Sequence, residues 1–439
     1  MQRIVKLMVV AFLLLGLERA YAVPSYARQT GLACNVCHYS PPELTPFGRI
    51  FKLSGYTLIE APKTRTVGNG RVLELLRALP LSVGFTVSDT GLQKKQPLTQ
   101  NGTVGFPQGM SLYLAGEWAP HFGSFLEVPY DHASDHFGMG MADLRYANRT
   151  KLAGKDFQYG VTINNQPTLE DLWNSTPAEG FPWFATSVNV SQIATPLIYG
   201  ALMQDVAGLG GYGMWNHHLY GDITLYRSEH AGGTVPINGA GFTYNISGVA
   251  PYWRAAWQQT FGANYLEIGT YGIYLNSFPN AVSGPADRYV DPSFDFSYER
   301  PFGANALSVH GTYIHEKSDL GGTLAAQGAA FAMHRLNMES VDATWYVRSK
   351  YSGSAAVFAT SGNADSVLYA PAAVTGSLNG SPNTSGYTVQ GGYWPVQNID
   401  LTLAYTGYTR FNGAGTNYDG FGRNASDNNT LYLAAKFYF

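Results

Sequence analysis

The sequence predicts a mainly β protein: a transmembrane antiparallel β-barrel of about 16 strands, with a small, mostly helical N-terminal module placed to plug its lumen. Three observations predict it. A period-2 alternation of apolar and polar residues recurs from about residue 80 onward. Short and long connections alternate between the strands, and the chain stops on an alternating strand that ends in Phe439. Composition agrees: Gly (50) and Tyr (30) are abundant and only 13% of the 439 residues are charged, too few for a soluble chain of this length. Yet after Val23 no apolar run approaches the ~20 residues of a membrane helix.

Residues 1–22 read as a secretory signal peptide. Arg3 and Lys6 form a basic start, LMVVAFLLLGL is an apolar run, and Ala20-Tyr21-Ala22 offers small residues for cleavage. The run is short for a spanning helix, which leaves a retained anchor as the competing reading. Removing this segment takes the basic count from 27 to 24 and the acidic count from 30 to 29, a formal charge near −5. That balance gives no basic face for nucleic acid.

Residues 23–78 form a module and linker. The only two cysteines stand in Cys34-Asn35-Val36-Cys37-His38. This is the spacing of c-type haem attachment: two thiols reach the vinyl groups and the next imidazole reaches the iron from one face. A thioredoxin-like redox pair would need a βαβ scaffold, and a zinc site two more ligands. One covalent haem c is therefore expected, with Cys34 and Cys37 as thioether attachments and His38 as proximal ligand. Downstream, TPFGRIFKLSG predicts a helix with Thr45 as N-cap, Pro46 in the first turn and Gly55 as stop. Phe47, Ile50 and Phe51 fall at i, i+3 and i+4, a face suited to pack on a porphyrin. Arg28, Arg49 and Lys52 are candidate propionate partners, each with a solvated surface charge as the plain alternative.

A second axial ligand is harder to find, because no other His or Met lies between His38 and Met110. It is borrowed from the barrel, replaced by a weaker group, or absent. By strand parity Met139, Met141 and His310 point into the lumen and rank first, with His132 and His136 behind; ordinary lumen or loop packing competes for each. The module is too small to fold around an ordinary protein core and needs the cofactor and a surrounding barrel.

Residues 79–439 supply the barrel. In LPLSVGFTVS, Leu81, Val83, Phe85 and Val87 alternate with Ser82, Gly84, Thr86 and Ser88. The pattern repeats through SLYLAGEW, MADLRYANR, YWRAAWQQ, ALSVHGTY and IDLTLAYT. Short links such as APHFG, MWNHH and PVQN separate pairs of strands; Gly/Ser/Asn-rich stretches near 89–108, 131–138, 165–200, 229–250, 277–288, 317–333, 362–384 and 412–428 separate the next pairs. About eight long loops imply about 16 strands, with 14 and 18 as neighbouring counts, short turns periplasmic and long loops outside. The longest loop, 165–200, contains PTLEDLW, which reads as a short capped helix over 167–173. Both an inward fold that narrows the channel and an outside position suit this loop.

The block VPSYARQTGLACNVCHYSPPELTPFGRIFKLSGYTL, residues 23–58, resembles the N-terminus of the fused outer-membrane cytochrome–porin family, whose best-known members are iron-oxidising monohaem cytochromes. Ala27-Arg28-Gln29-Thr30-Gly31 before the cysteines carries the likeness, with Leu44-Thr45-Pro46-Phe47-Gly48-Arg49 and Phe51-Lys52-Leu53 after them. The resemblance implies one haem c in an outer-membrane barrel, an oxidoreductase that takes electrons from extracellular Fe(II) and delivers them to a periplasmic cytochrome or copper protein. Cys34, Cys37 and His38 carry over residue by residue. No iron-binding motif is legible; Asp131, Asp135, Glu170 and Asp171 near the mouth are candidate hard-oxygen ligands for Fe²⁺, or plain solvated charge. Two other readings stay open: a general extracellular electron-transfer cytochrome with another donor or acceptor, and a diffusion porin whose haem is a structural plug.

Overall fold

The computed structural model describes residues 25–59, 64–68, 73–76, 78–131, 136–229, 245–279 and 281–439. The signal-peptide reading lies outside these residues. Sixteen long strands form one closed antiparallel barrel. In chain order they are β1 Leu81–Leu92, β2 Thr103–Ala119, β3 Phe122–Asp131, β4 Ala142–Leu152, β5 Lys155–Asn164, β6 Val206–Trp215, β7 Leu219–Ser228 and β8 Ala250–Phe261. The second half runs β9 Asn264–Phe278, β10 Asp287–Phe302, β11 Asn305–Asp319, β12 Met333–Val347, β13 Tyr351–Gly362, β14 Thr384–Val396, β15 Ile399–Arg410 and β16 Thr430–Tyr438. Two-residue ladders at His136–Phe137 and Asn245–Ile246 extend the sheet at loop bases.

Every consecutive pair is hydrogen-bonded, and β16 closes on β1 from Thr430 opposite Leu92 to Tyr438 opposite Gly84. Phe439 finishes the seam, exchanging two backbone hydrogen bonds of 2.9 Å with Val83. Closure satisfies every strand edge, which hydrocarbon demands because it offers no water to unpaired amides. The alternation then places side chains. On β7, Leu219, Ile223 and Leu225 are exposed, while Tyr220, Asp222, Thr224 and Tyr226 are buried inside. Apolar residues outside and polar ones inside invert a soluble protein and define a lipid-facing band. At the short-turn end this band meets aromatic pairs, Phe302 with Trp345 and Tyr351 with Tyr393. Such girdles sit where lipid meets water. The chain is therefore an outer-membrane β-barrel protein, its short turns periplasmic.

The barrel is filled from both ends. From the periplasmic end enter α1 (Ser25–Thr30), α2 (Cys34–Cys37), a small hairpin pairing His38–Ser40 with Glu43–Leu44, and α3 (Pro46–Leu53). Helix α3 starts as its sequence predicts: Thr45 Oγ1 accepts from the Gly48 N–H at 3.2 Å, Pro46 opens the first turn, and Gly55 follows at φ +67°. From the outer end, the loop between β5 and β6 (165–205, here L3) descends into the lumen, with residues 164–176 buried throughout. The inward fold is thus the one adopted. The helix expected over 167–173 does not form. Asp171 instead accepts hydrogen bonds from the N–H groups of Trp173, Ser175 and Thr176, at 3.0 to 3.1 Å. A side chain that satisfies the backbone in this way competes with helical bonding. Trp173 is held across the lumen by Gln258 on β8, and Arg254 of the same strand pairs with Asp171 at 3.1 Å.

Candidate functional site

The module is fastened to the wall by side chains from both partners. Tyr56 donates to Asp143 on β4 at 2.6 Å, Gln158 on β5 to Ser54 Oγ at 2.8 Å, and Tyr212 on β6 to the Leu53 carbonyl at 3.1 Å. Glu299 on β10 receives Tyr39 and the Arg49 guanidinium, and Tyr346 on β12 donates to Glu43. Loop L3 closes the other side: Asn174 Oδ1 accepts from the Leu44 N–H at 2.9 Å, and Glu179 pairs with Lys52. At the periplasmic rim, the Cys34 N–H donates to Gln397 in the turn between β14 and β15, at 2.9 Å.

These fastenings surround a cavity of about 110 Å³. Its lining includes Cys34, Cys37 and His38, together with Leu32, Pro42, Leu44, Phe51 and the aromatic rings of Tyr26, Tyr56 and Phe125. Tyr26 stands edge-on to Phe51 at 5.1 Å between centroids and stacks on Tyr56 at 5.8 Å, making one aromatic wall. Gly48 lets α3 approach the cysteine turn, since a Cβ there would lie 2.1 Å from the Cys37 carbonyl oxygen. The lining is mostly apolar, which suits a flat hydrophobic ring system.

The donor set passes the test for a covalent haem. Both cysteines are free and face the same cavity. His38 Nδ1 is buried without a hydrogen-bond partner, the kind of orphan that needs an explanation. Burial lowers the His38 pKa and favours the neutral imidazole that ligates metals. Burial also pushes the Cys37 thiol up to about 11, with Cys34 adding to the shift, and raises Cys34. Reactive redox dithiols have depressed pKa values. Among the described residues there is no group of three or more His, Cys, Asp or Glu arranged to hold a metal ion.

Several candidate side chains lie elsewhere. Of the helix face Phe47, Ile50 and Phe51, only Phe51 lines the cavity, beside Gly48 and Lys52; Ile50 is 50% exposed on another face. The helix is turned by its anchors, Arg49 to the wall and Lys52 to L3. Arg49 is committed to Glu299 and lies over the Tyr265 ring at 4.5 Å, so it is not free for a propionate. Arg28 is exposed and donates to the Leu81 carbonyl; it does not line the cavity. Lys52 alone of the three basic candidates reaches the cavity, and it does so paired with Glu179.

The three leading distal candidates also miss it. Met139 is 48% exposed in the loop before β4, and neither it nor Met141 lines the cavity. The expected parity fails because β4 begins only at Ala142. His310 does point inward from β11, but it lies between Asp342 and Ser308, each at 3.2 Å, outside the cavity. His136 is exposed at the base of its loop, and His132 falls outside the described residues. Glu170 and Asp171 do not stand at the mouth: both are buried mid-lumen, Glu170 accepting from Asn164, Thr224 and Tyr226. Asp135 and the Asp131 side chain lie outside the described residues. Sequence reasoning missed Tyr26, Leu44, Tyr56, Phe125 and Glu179, and no local signal points to the last two, which lie far along the chain.

No protein-family model and no curated protein matches the sequence. Solved structures are similar at the level of the barrel. The outer membrane channel DcaP of Acinetobacter baumannii aligns over 82% of this chain and 96% of its own, at 11% identity and a TM-score of 0.49. An anion-selective porin from Comamonas acidovorans covers 82% and 98%, at 11% identity and a TM-score of 0.46. OmpF of Salmonella typhi covers 82% and 98%, at 11% identity and 0.43.

Proposed function

We propose that the protein is an outer-membrane electron conduit holding one covalent haem c at the periplasmic end of its barrel. One observation carries the reading: two thiols and an imidazole whose buried Nδ1 has no partner, in attachment spacing, line one apolar cavity. Bound there, the haem supplies reversible one-electron chemistry. The chain's own residues do the rest. Cys34 and Cys37 tether, and His38, kept neutral by burial, ligates the iron. Tyr26, Leu44, Phe51, Tyr56 and Phe125 exclude water, and a dry surround favours electron transfer by leaving less solvent to reorganise. Gln397 holds the Cys34 edge at the periplasmic rim, where a cytochrome or copper protein has its approach.

The resemblance of residues 23–58 to cytochrome–porin fusions makes extracellular Fe(II) the proposed donor, which makes the protein an oxidoreductase between Fe(II) and a periplasmic carrier. The test follows haem absorption of the purified, oxidised protein in detergent as Fe²⁺ is added without oxygen. A reduced c-type spectrum is expected. A haem that answers only to dithionite would replace Fe(II) by another donor, and absence of covalent haem would sink the reading.

A further inference from the structure

The two rims of the barrel carry charge differently. At the outer end exposed cations stand beside acids: Lys94 pairs with Asp427 at 3.1 Å and Arg288 with Asp319 at 3.4 Å. At the periplasmic end, the turn between β12 and β13 presents Arg348 and Lys350, both exposed and without an acidic neighbour in the turn. They stand beyond the last ladder pair, Val347 opposite Tyr351. Arg300 differs: it lies within the ladder, opposite Leu307, with its guanidinium over the Phe302 ring of the girdle at 4.8 Å. That cation sits at the level of the lipid headgroups, the turn cations in the water beyond them.

This basic turn adjoins the cysteines. Tyr39, next to His38, stacks on Tyr346 at 5.3 Å, two residues before Arg348. The Trp394 N–H donates to the Lys350 carbonyl at 2.9 Å. Three residues on, Gln397 receives the Cys34 N–H at 2.9 Å and donates to Asn35 at 3.3 Å. On the other flank, the exposed Arg28 donates to the Leu81 carbonyl at the start of β1. Across this sector, residues 25–37, 79–82, 300–305, 347–351, 395–399 and 436–439, no acidic side chain occurs. Eight strands round the barrel the β4–β5 turn mixes its signs: Lys151 and Lys155 stand with Asp156, which lies 3.4 Å from His217. Like charges gathered at one edge draw and orient an anionic partner, and the pull weakens with salt.

We infer that this sector is the docking face for a soluble periplasmic protein with an acidic patch, seated over Arg28, Arg348 and Lys350 at the cysteine edge. The partner's role as an electron carrier rests on the conduit reading; the charge pattern stands without it. The test uses the full-length, haem-loaded protein in detergent and in nanodiscs containing phosphatidylglycerol, and two readouts. The first is fluorescence anisotropy of a labelled oligo-glutamate peptide. Binding at low salt should weaken as salt rises. Arg348→Glu with Lys350→Glu should raise its Kd about tenfold or more, and Lys151→Glu with Lys155→Glu less than about twofold. All four residues are exposed at turns, and β-type circular dichroism checks that each variant is folded. The second readout is reoxidation of the dithionite-reduced haem, one electron passing to each oxidant. The Arg348/Lys350 reversal should slow reoxidation by the trianion ferricyanide and quicken it by the cation tris(phenanthroline)cobalt(III). Three results overturn the docking face: equal loss of peptide binding in both pairs, binding in detergent that vanishes in nanodiscs because headgroups take the cations, or reoxidation rates unmoved with both oxidants. Absence of covalent haem would sink the conduit instead, and peptide binding would still decide the docking face.

Discussion

Replacing Gly48 by Ala sets two effects against each other, and the structure says which wins. Alanine is the better helix former, by up to ~1 kcal/mol. At this position, however, its Cβ would lie 2.1 Å from the Cys37 carbonyl oxygen and 3.1 Å from Leu44 Cδ2. The obstacle is backbone and cannot rotate away, so α3 has to retreat by about 1 Å to restore ordinary contact distances, an overpacking that costs ~1–3 kcal/mol. The same carbonyl accepts the Thr45 N–H at 2.9 Å, a bond worth ~1 kcal/mol that the retreat weakens. The net cost is ~1–3 kcal/mol, which is roughly 5- to 150-fold in a local opening equilibrium. Hydrogen exchange read by mass spectrometry, in detergent, should show that loss of protection in α3 and the Cys34–Cys37 turn, while strands on the far side of the barrel keep theirs. Protection of α3 that is unchanged or increased in Gly48→Ala would refute the reasoning.

Other outcomes follow from the same geometry. Arg49→Leu strands Glu299 in the lumen with only the Tyr39 hydroxyl, and should cost ~3–5 kcal/mol by denaturant titration, whereas adding Glu299→Gln should restore much of it. Ile223→Arg puts a charge on the lipid face of β7 near its middle and should destabilise the folded barrel in bilayers by ~2–4 kcal/mol; the lumen-facing Thr224→Ser should be close to neutral. Asp365, in the loop between β13 and β14, is raised by burial but lowered further by the N–H groups of Leu368, Ala330 and Val367 and by His334, leaving its pKa below the usual carboxylate range. Its contribution is therefore present above the unfolded value, near 4, and is lost as pH falls through the lower folded one. Proteolysis of loop 363–383 should rise on acidification below about pH 4, and Asp365→Asn should make it insensitive to pH.

The architecture was legible because barrel strands write their burial into the chain. Each residue faces lipid or lumen by parity, so Leu219 to Tyr226 announces both surfaces, and a count of loops yields the count of strands. The cap of α3 was legible for a like reason: Thr45, Pro46 and Gly55 act within one or two turns. Parity misled only where the strand had not begun, at Met139 and Met141.

What the sequence determined by itself is local: the spacing of Cys34, Cys37 and His38, the alternation that closes a sixteen-stranded barrel, and the terminal Phe439 that completes its seam. Tertiary structure alone decided what meets the cysteines. Phe125 and Glu179 come to their cavity from β3 and L3, Arg49 is turned from it by Glu299, and Asp171 gives up a helix to satisfy Arg254 and its own turn. These choices depend on which side chains a closed wall brings face to face across the lumen. Buried charges and amides inside a membrane barrel have no water to fall back on, so many of them are settled by partners far along the chain rather than by neighbours in it.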